Sequence, residues 1–427
     1  MKRNLLFDTY SLPIKRHLIT ELLLAIFLFT PFISYFTFGV LFKENAIYYL
    51  QILFNFYSII FIAYFNIKDF YFPKYLYFLI FYILFILIWS FFNGNFERKG
   101  LLFSEFREQV STFLIILLIS NIKFSDIFIH YSIKIIKLTL YLATIVSIIQ
   151  FLNPSFLDAS HLYKYKNFEN PQLEFNTIYE VRRLSIFGYT DFNELGLSFL
   201  PLMTVLMGYL KLNKSKIYFY YFQVLLISAL SNTRYVMVGA LIIFFSYLRS
   251  LKLNLMGYLK YYLILLISLI VLLFFLQLLG YNVWDWFYLR LFPEQTVTKT
   301  TRYGALENFL IFFPKVALFG TGVHLTPEIA LASKFVGSSQ IHVGFLSHLV
   351  SYGLFGSFLL FGFWFSLLKS FYKTAKITNY WGSFFALIIF LWANTTLVMY
   401  SIYYYGIIIA IIFDKYFKDK SLSQQNL

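Results

Sequence analysis

Long apolar runs follow one another through this chain, separated by short polar breaks. A membrane-crossing helix needs about 20 mostly apolar residues, and the runs divide into twelve such stretches. The spans read as 18–41, 45–66, 74–93, 104–122, 132–152 and 187–210 in the first half. Those of the second half are 216–231, 234–250, 257–279, 342–367, 380–396 and 398–414. The fourth opens on Glu105, Arg107 and Glu108, and the last two divide at Asn394-Thr395-Thr396. Two stretches leave the pattern. One is 153–187; the other runs from Gly280 to Ile341 and carries Thr301-Arg302-Tyr303-Gly304, Phe313-Pro314 and Gly320-Thr321-Gly322. A long loop in a chain that is otherwise nearly all membrane is usually functional.

Charge orients the pattern. Lys and Arg gather in alternate loops: Lys211, Lys214 and Lys216; Arg249, Lys252 and Lys260; Lys369, Lys373 and Lys376; Lys415, Lys418 and Lys420. Lys/Arg-rich loops face the cytoplasm. The bias predicts both termini inside and both long loops outside, with the whole chain, 1–427, as one multi-pass membrane domain. Of the residues, 60% are hydrophobic and 13% charged, outside the range of soluble domains. A formal charge of +15 spread over short loops is a topology signal, and no nucleic-acid partner is expected. The N-terminal apolar run is too long for a cleaved signal and reads as a retained helix. The chain has no cysteine, which excludes disulfides and thiolate chemistry.

Polar residues that could carry chemistry collect at the outer ends of the spans. Ser231-Asn232-Thr233-Arg234 is a tight turn, with Arg234 opening an apolar helix. A charge at that depth snorkels or faces a polar cavity. Arg302 precedes a short helix that ends before Pro314. His342 stands at the mouth of the tenth span, and His348, deeper and on another face, reads as a packing residue. Arg182, Arg183, Asp191, Asn193 and Glu194 lead straight into the sixth span, as a helix cap or as the wall of a polar cavity. No carboxylate cluster suggests a metal, and no cofactor motif is present. Substrate charge is then handled by arginine.

These residues resemble a family. Ser231 to Arg234 resembles the Ser-Arg turn of the O-antigen polymerase and ligase superfamily, most closely the Wzy-type polymerases. Arg302, Pro314 and Gly320-Thr321-Gly322 resemble its Arg…Pro…Gly-x-Gly segment. His342, Leu346, Leu349 and Tyr352-Gly353-Leu354-Phe355-Gly356 resemble its His-Asn…Leu…Gly helix, with Val343 in place of Asn. Arg183 to Asn193 is similar to its Arg-x-x-Gly…Asn segment.

The resemblance implies a GT-C-like, metal-independent glycosyltransferase in a bacterial plasma (inner) membrane. It would join undecaprenyl-diphosphate-linked repeat units of an O-antigen, capsule or exopolysaccharide at the outer face, with membrane lipid and a chain-length regulator protein as partners. In that chemistry Arg234 and Arg302 would hold the diphosphate, since arginine binds phosphate bidentately and stays charged. His342 would take the proton of the attacking hydroxyl. Arg182, Arg183, Asp191, Asn193, Glu194 and Tyr303 would contact or orient substrate. A ligase of the same superfamily, which moves finished polymer onto lipid A core, is the nearest alternative. A lipid-linked-oligosaccharide flippase is the alternative from another class. Midplane charge and repeated halves, the usual marks of a transporter, are not visible in the sequence.

Overall fold

The computed structural model describes residues 20–25, 53, 55–61, 71–92, 99–152, 195–212, 217–231, 234–251, 255–278, 304–322, 344–395 and 405–425. Among them every regular element is helical. In chain order these are α1 (Tyr75–Phe92), α2 (Lys99–Ser120) and α3 (Asp126–Leu152). A wide π-turn, Leu195–Phe199, leads into α4 (Leu200–Leu212). Then come α5 (Ile217–Leu230), α6 (Arg234–Leu251), α7 (Leu255–Leu278) and α8 (Gly304–Val316). The last three are α9 (Gly344–Thr378), α10 (Gly382–Ala393) and α11 (Tyr405–Gln425).

Local chemistry sets several of the ends. Asn121 stops α2: its amide donates to the carbonyls of Leu117 and Tyr71 at 2.9 and 3.0 Å and accepts the Tyr71 N–H at 2.8 Å. Ser125 caps α3 by accepting the Phe128 N–H at 3.1 Å. Glu21 holds that cap, accepting the Ser125 N–H and hydroxyl at 2.6 and 2.9 Å. Asp126 follows in the favourable first turn. The side chain of Asn394 turns back onto the Phe390 carbonyl at 2.8 Å and ends α10.

At the centre lies α4, buried along almost its whole length and covered by α3, α5, α6, α10 and α11. It meets α10 at two glycines, where a Cβ on Gly208 would stand 2.7 Å from the Gly382 Cα. Such close approach of backbones is the usual way apolar helices gain contact where no water drives them together. Along α9 runs α1, with Tyr75 against Phe363, Phe78 against Phe358 and Phe85 against Phe355. Further on, α8 packs on α9, and α11 reaches α2, α4, α9 and α10.

The outside of this bundle is as apolar as the inside. On α7, Leu259, Leu263, Ile267, Ile270 and Phe274 are all exposed, and on α1 so are Phe81, Leu84, Ile88 and Phe91. Water does not tolerate a belt of that size, whereas hydrocarbon does. Two helices among the described residues, Asp126–Ile149 and Gly344–Thr378, are long and apolar enough to cross a membrane.

The tenth span differs from its reading as one run over 342–367. Gly353 breaks α9 with φ 63 and ψ −169. In a straight helix Phe345 and Phe361 would stand about 24 Å apart, yet their rings lie 5.5 Å apart. The chain therefore doubles back at Gly353. Residues 344–352 form a short arm folded against the long arm, 354–378. The last helix is described from Tyr405 and continues past the end of its apolar span at 414, to Gln425. Its polar end is held by Lys415 on Asp419 one turn on, at 2.7 Å, and by Tyr416 and Lys420 on Asp126.

Candidate functional site

The break in α9 is built by an exchange of backbone hydrogen bonds. In an unbroken helix the N–H groups of Leu354 and Phe355 would donate to Val350 and Ser351. Here they donate to the carbonyls of Ala317 and Leu318, at 2.7 and 3.1 Å. The carbonyls so released accept from the loop: Thr321 N–H to Val350 at 2.9 Å, and Gly322 N–H to Ser351 at 2.7 Å. All four groups stay paired, which an apolar setting demands.

Two glycines make the exchange possible. Both Gly320 (φ 76) and Gly353 (φ 63) occupy conformations that side-chain-bearing residues rarely adopt. A Cβ on Gly320 would sit 2.3 Å from the Ser351 carbonyl oxygen, and one on Gly353 would sit 2.4 Å from the Leu318 carbonyl carbon. The Gly-Thr-Gly turn and the Tyr-Gly-Leu-Phe-Gly helix, separate motifs in the sequence, are thus two halves of one joint.

That joint aligns α8 with the short arm. Phe309, Phe313 and Val316 of α8 and Leu346 of the arm all close on buried Val350. Near the break, Ala317 meets Leu354 and Leu318 meets Phe355. Both helices therefore run in the same direction toward the break, and their first residues, Gly304 and Gly344, lie at the same end of the pair.

The short arm packs back on the long arm. Phe345 and His348 both reach Phe361 of the long arm, about 10 Å back from the break. One turn further on, Trp364 stacks near Phe390 at 5.0 Å, and Trp392 donates its Nε1–H to the Tyr235 carbonyl at 3.3 Å. Gly196 packs its backbone against the Tyr235 ring. The starts of the short arm, of α6 and of the π-turn before α4 are linked through these few contacts.

His348 anchors the arm. It is buried, shares a 3.2 Å hydrogen bond between its Nε2 and the Tyr82 hydroxyl, and packs against the Tyr352 ring at 4.7 Å. Its reading as a packing residue agrees with this position. Tyr82 and the break itself had no mark in the sequence.

Of the residues singled out by sequence, Arg234 opens α6. Just before it, buried Ser231 closes the turn by donating to the Ser228 carbonyl at 2.7 Å. His342, Arg302, Tyr303, Arg182, Arg183, Asp191, Asn193 and Glu194 lie outside the described residues. In sequence, Arg302 and His342 each stand two residues before a described helix start, and Glu194 stands one before the π-turn. No group of three or more His, Cys, Asp or Glu that could hold a metal ion occurs among the described residues. No protein-family model matches the chain, and no curated protein matches its sequence.

Proposed function

We propose that this chain is a multi-pass membrane glycosyltransferase that lengthens a polysaccharide by joining repeat units carried on a polyprenyl diphosphate. The observation that carries the reading is the parallel pair of α8 and the short arm. The residues immediately before those two helices are the Arg302 and His342 stretches, and α6 begins with Arg234. Arginine suits a leaving group with two or more negative charges, and histidine suits deprotonation of an attacking hydroxyl. The charge bias of the loops supports an outer-face site and cytoplasmic termini.

The test is the ladder of chain lengths on the cell surface. Arg302→Ala and His342→Ala, expressed at normal levels, should leave single-repeat caps. Full-length polymer from both variants would refute the roles given to them. Finished polymer stranded on the carrier lipid would point to the ligase instead.

A transport reading gains one observation, the broken helix itself. Secondary transporters place substrate beside half-helices of this kind. If the chain were a carrier, repeat units would accumulate on the cytoplasmic leaflet in its absence, whereas a polymerase leaves them single and outward.

A further inference from the structure

A cleft opens where the ends of α4 and α6 meet the starts of α5 and α10. Lys211 lies there, in the last turn of α4, roughly 20 Å along the helix from the π-turn at Leu195. The loops at this end carry Lys211, Lys214 and Lys216 and then Lys369, Lys373 and Lys376, the bias of a cytoplasmic face. Amphipathic rings gather at the same level, as they do at a membrane–water boundary. Tyr218, Tyr247 and Tyr261 meet one another at 5.7 to 6.0 Å, and Trp381 meets Tyr372 at 5.9 Å.

The cleft has two connected parts of opposite character. One is polar, lined by Lys211, Ser246, Asn379 and Trp381, and measures about 240 Å³ with its open mouth. Its enclosed floor, about 10 Å³, admits one oxygen-sized group. The other, about 250 Å³ with its mouth, is apolar and lined by Met207, Ile217, Tyr221, Ile243 and Phe244. Met207 and Tyr247 line both parts and make them continuous. Met207 precedes Lys211 by one turn, and Ile243 precedes Tyr247 by one turn, so the apolar part runs deeper into the bundle.

The chemistry of the lining selects a ligand. No residue lining either part is acidic. An ammonium such as that of Lys211 has three donors and suits a phosphate oxygen. Lys376 adds a second cation near Trp381, lying over the Tyr372 ring at 4.7 Å. Ser246, buried, has given its proton to the Ile243 carbonyl at 2.7 Å, so it can only accept, as from a hydroxyl. A free anion would leave the apolar part uncovered. A zwitterionic headgroup would bring its own cation toward Lys211.

We propose that this cleft binds one anionic phospholipid of the inner leaflet, with its phosphate on Lys211, a headgroup hydroxyl on Ser246 and an acyl chain along Met207, Ile243 and Phe244. Basic pockets between helices on the cytoplasmic side are where such headgroups dock. The site needs the membrane and the loop charges, and it does not rest on the polymerase reading.

The test is native mass spectrometry of the purified full chain in detergent. It is titrated with phosphatidylglycerol, phosphatidylcholine of the same acyl chains, a polyprenyl phosphate and sodium phosphate. One phosphatidylglycerol per chain should be retained at concentrations where phosphatidylcholine is not. Lys211→Gln should weaken that binding about tenfold, the loss of one charged hydrogen bond, and Lys211→Arg should keep it. Lys373→Gln, at an exposed lysine that does not line the cleft, should leave it unchanged. Equal retention of the two phospholipids by the native chain overturns the proposal, and that comparison needs no variant to fold. Binding unchanged in Lys211→Gln, or weakened as much by Lys373→Gln, overturns it too, since surface charge at large then holds the lipid. Sodium phosphate that competes as well as the lipid makes this an anion site without a chain. Preference for the polyprenyl phosphate makes it a carrier-lipid site. Either result overturns the ligand class.

Discussion

Replacing Gly353 by Ala should unfold the joint that folds the short arm back. The new Cβ would lie 2.4 and 2.5 Å from the Leu318 carbonyl carbon and oxygen and 2.5 Å from the Phe319 nitrogen. These are backbone atoms, pinned by their own hydrogen bonds, and cannot rotate aside. The backbone at φ 63, ψ −169 adds about 1–3 kcal/mol of strain for any residue but glycine. Relieving the clash means parting the loop from the helix and giving up four hydrogen bonds worth about 1 kcal/mol each. The local cost is then on the order of 5–7 kcal/mol, enough to favour an arm released from α8.

The cysteine-free chain makes this measurable. With Phe345→Cys and Phe361→Cys introduced, a short thiol crosslinker followed by mass spectrometry of the purified protein reads whether the arm is folded back. Efficient crosslinking is expected in the parent and its loss in the Gly353→Ala background. Gly239→Ala is the control, since its Cβ meets only the flexible end of Leu200. A parent that fails to crosslink, or a Gly353→Ala chain that crosslinks as well as the parent, would refute the folded-back arm.

Other expectations follow from single contacts. Gly208→Val should force α4 from α10, where even a Cβ comes within 2.7 Å of backbone, and should lower the thermal midpoint by several degrees. Tyr82→Phe strips the hydroxyl from His348; it should cost about 1–3 kcal/mol by leaving a buried ring nitrogen unbonded, read as a fall in midpoint that His348→Phe in the same background recovers in part. Asp126→Asn should cost less than about 1 kcal/mol, and the loss should shrink further in high salt, because Asp126 and Lys420 are largely exposed.

Helix positions were mostly legible in the sequence because an apolar run and its polar borders mark both ends. The third, seventh and ninth spans match α1, α5 and α7 to within a few residues for that reason. The fold of the tenth was not legible. Gly344, Gly353, Gly356 and Gly362 all sit in one apolar run, and nothing along the chain distinguishes the one whose φ is positive. What distinguishes Gly353 is its partner, the Gly320 turn, and that pairing exists only in three dimensions. The last helix outran its apolar segment because helical hydrogen bonds continue wherever Lys and Asp pair one turn apart. Tyr82 escaped notice as one tyrosine among 36, and its role comes from His348 across the bundle.

The central proposal is that this chain lengthens a lipid-linked sugar chain. Its most direct test is the purified chain reconstituted in bilayer discs with polyprenyl-diphosphate-linked repeat units as the sole substrate. The expected result is a ladder of longer lipid-linked chains that disappears with His342→Ala and with Arg302→Ala. Units that remain single with the intact chain, or a ladder unchanged by both substitutions, would contradict it.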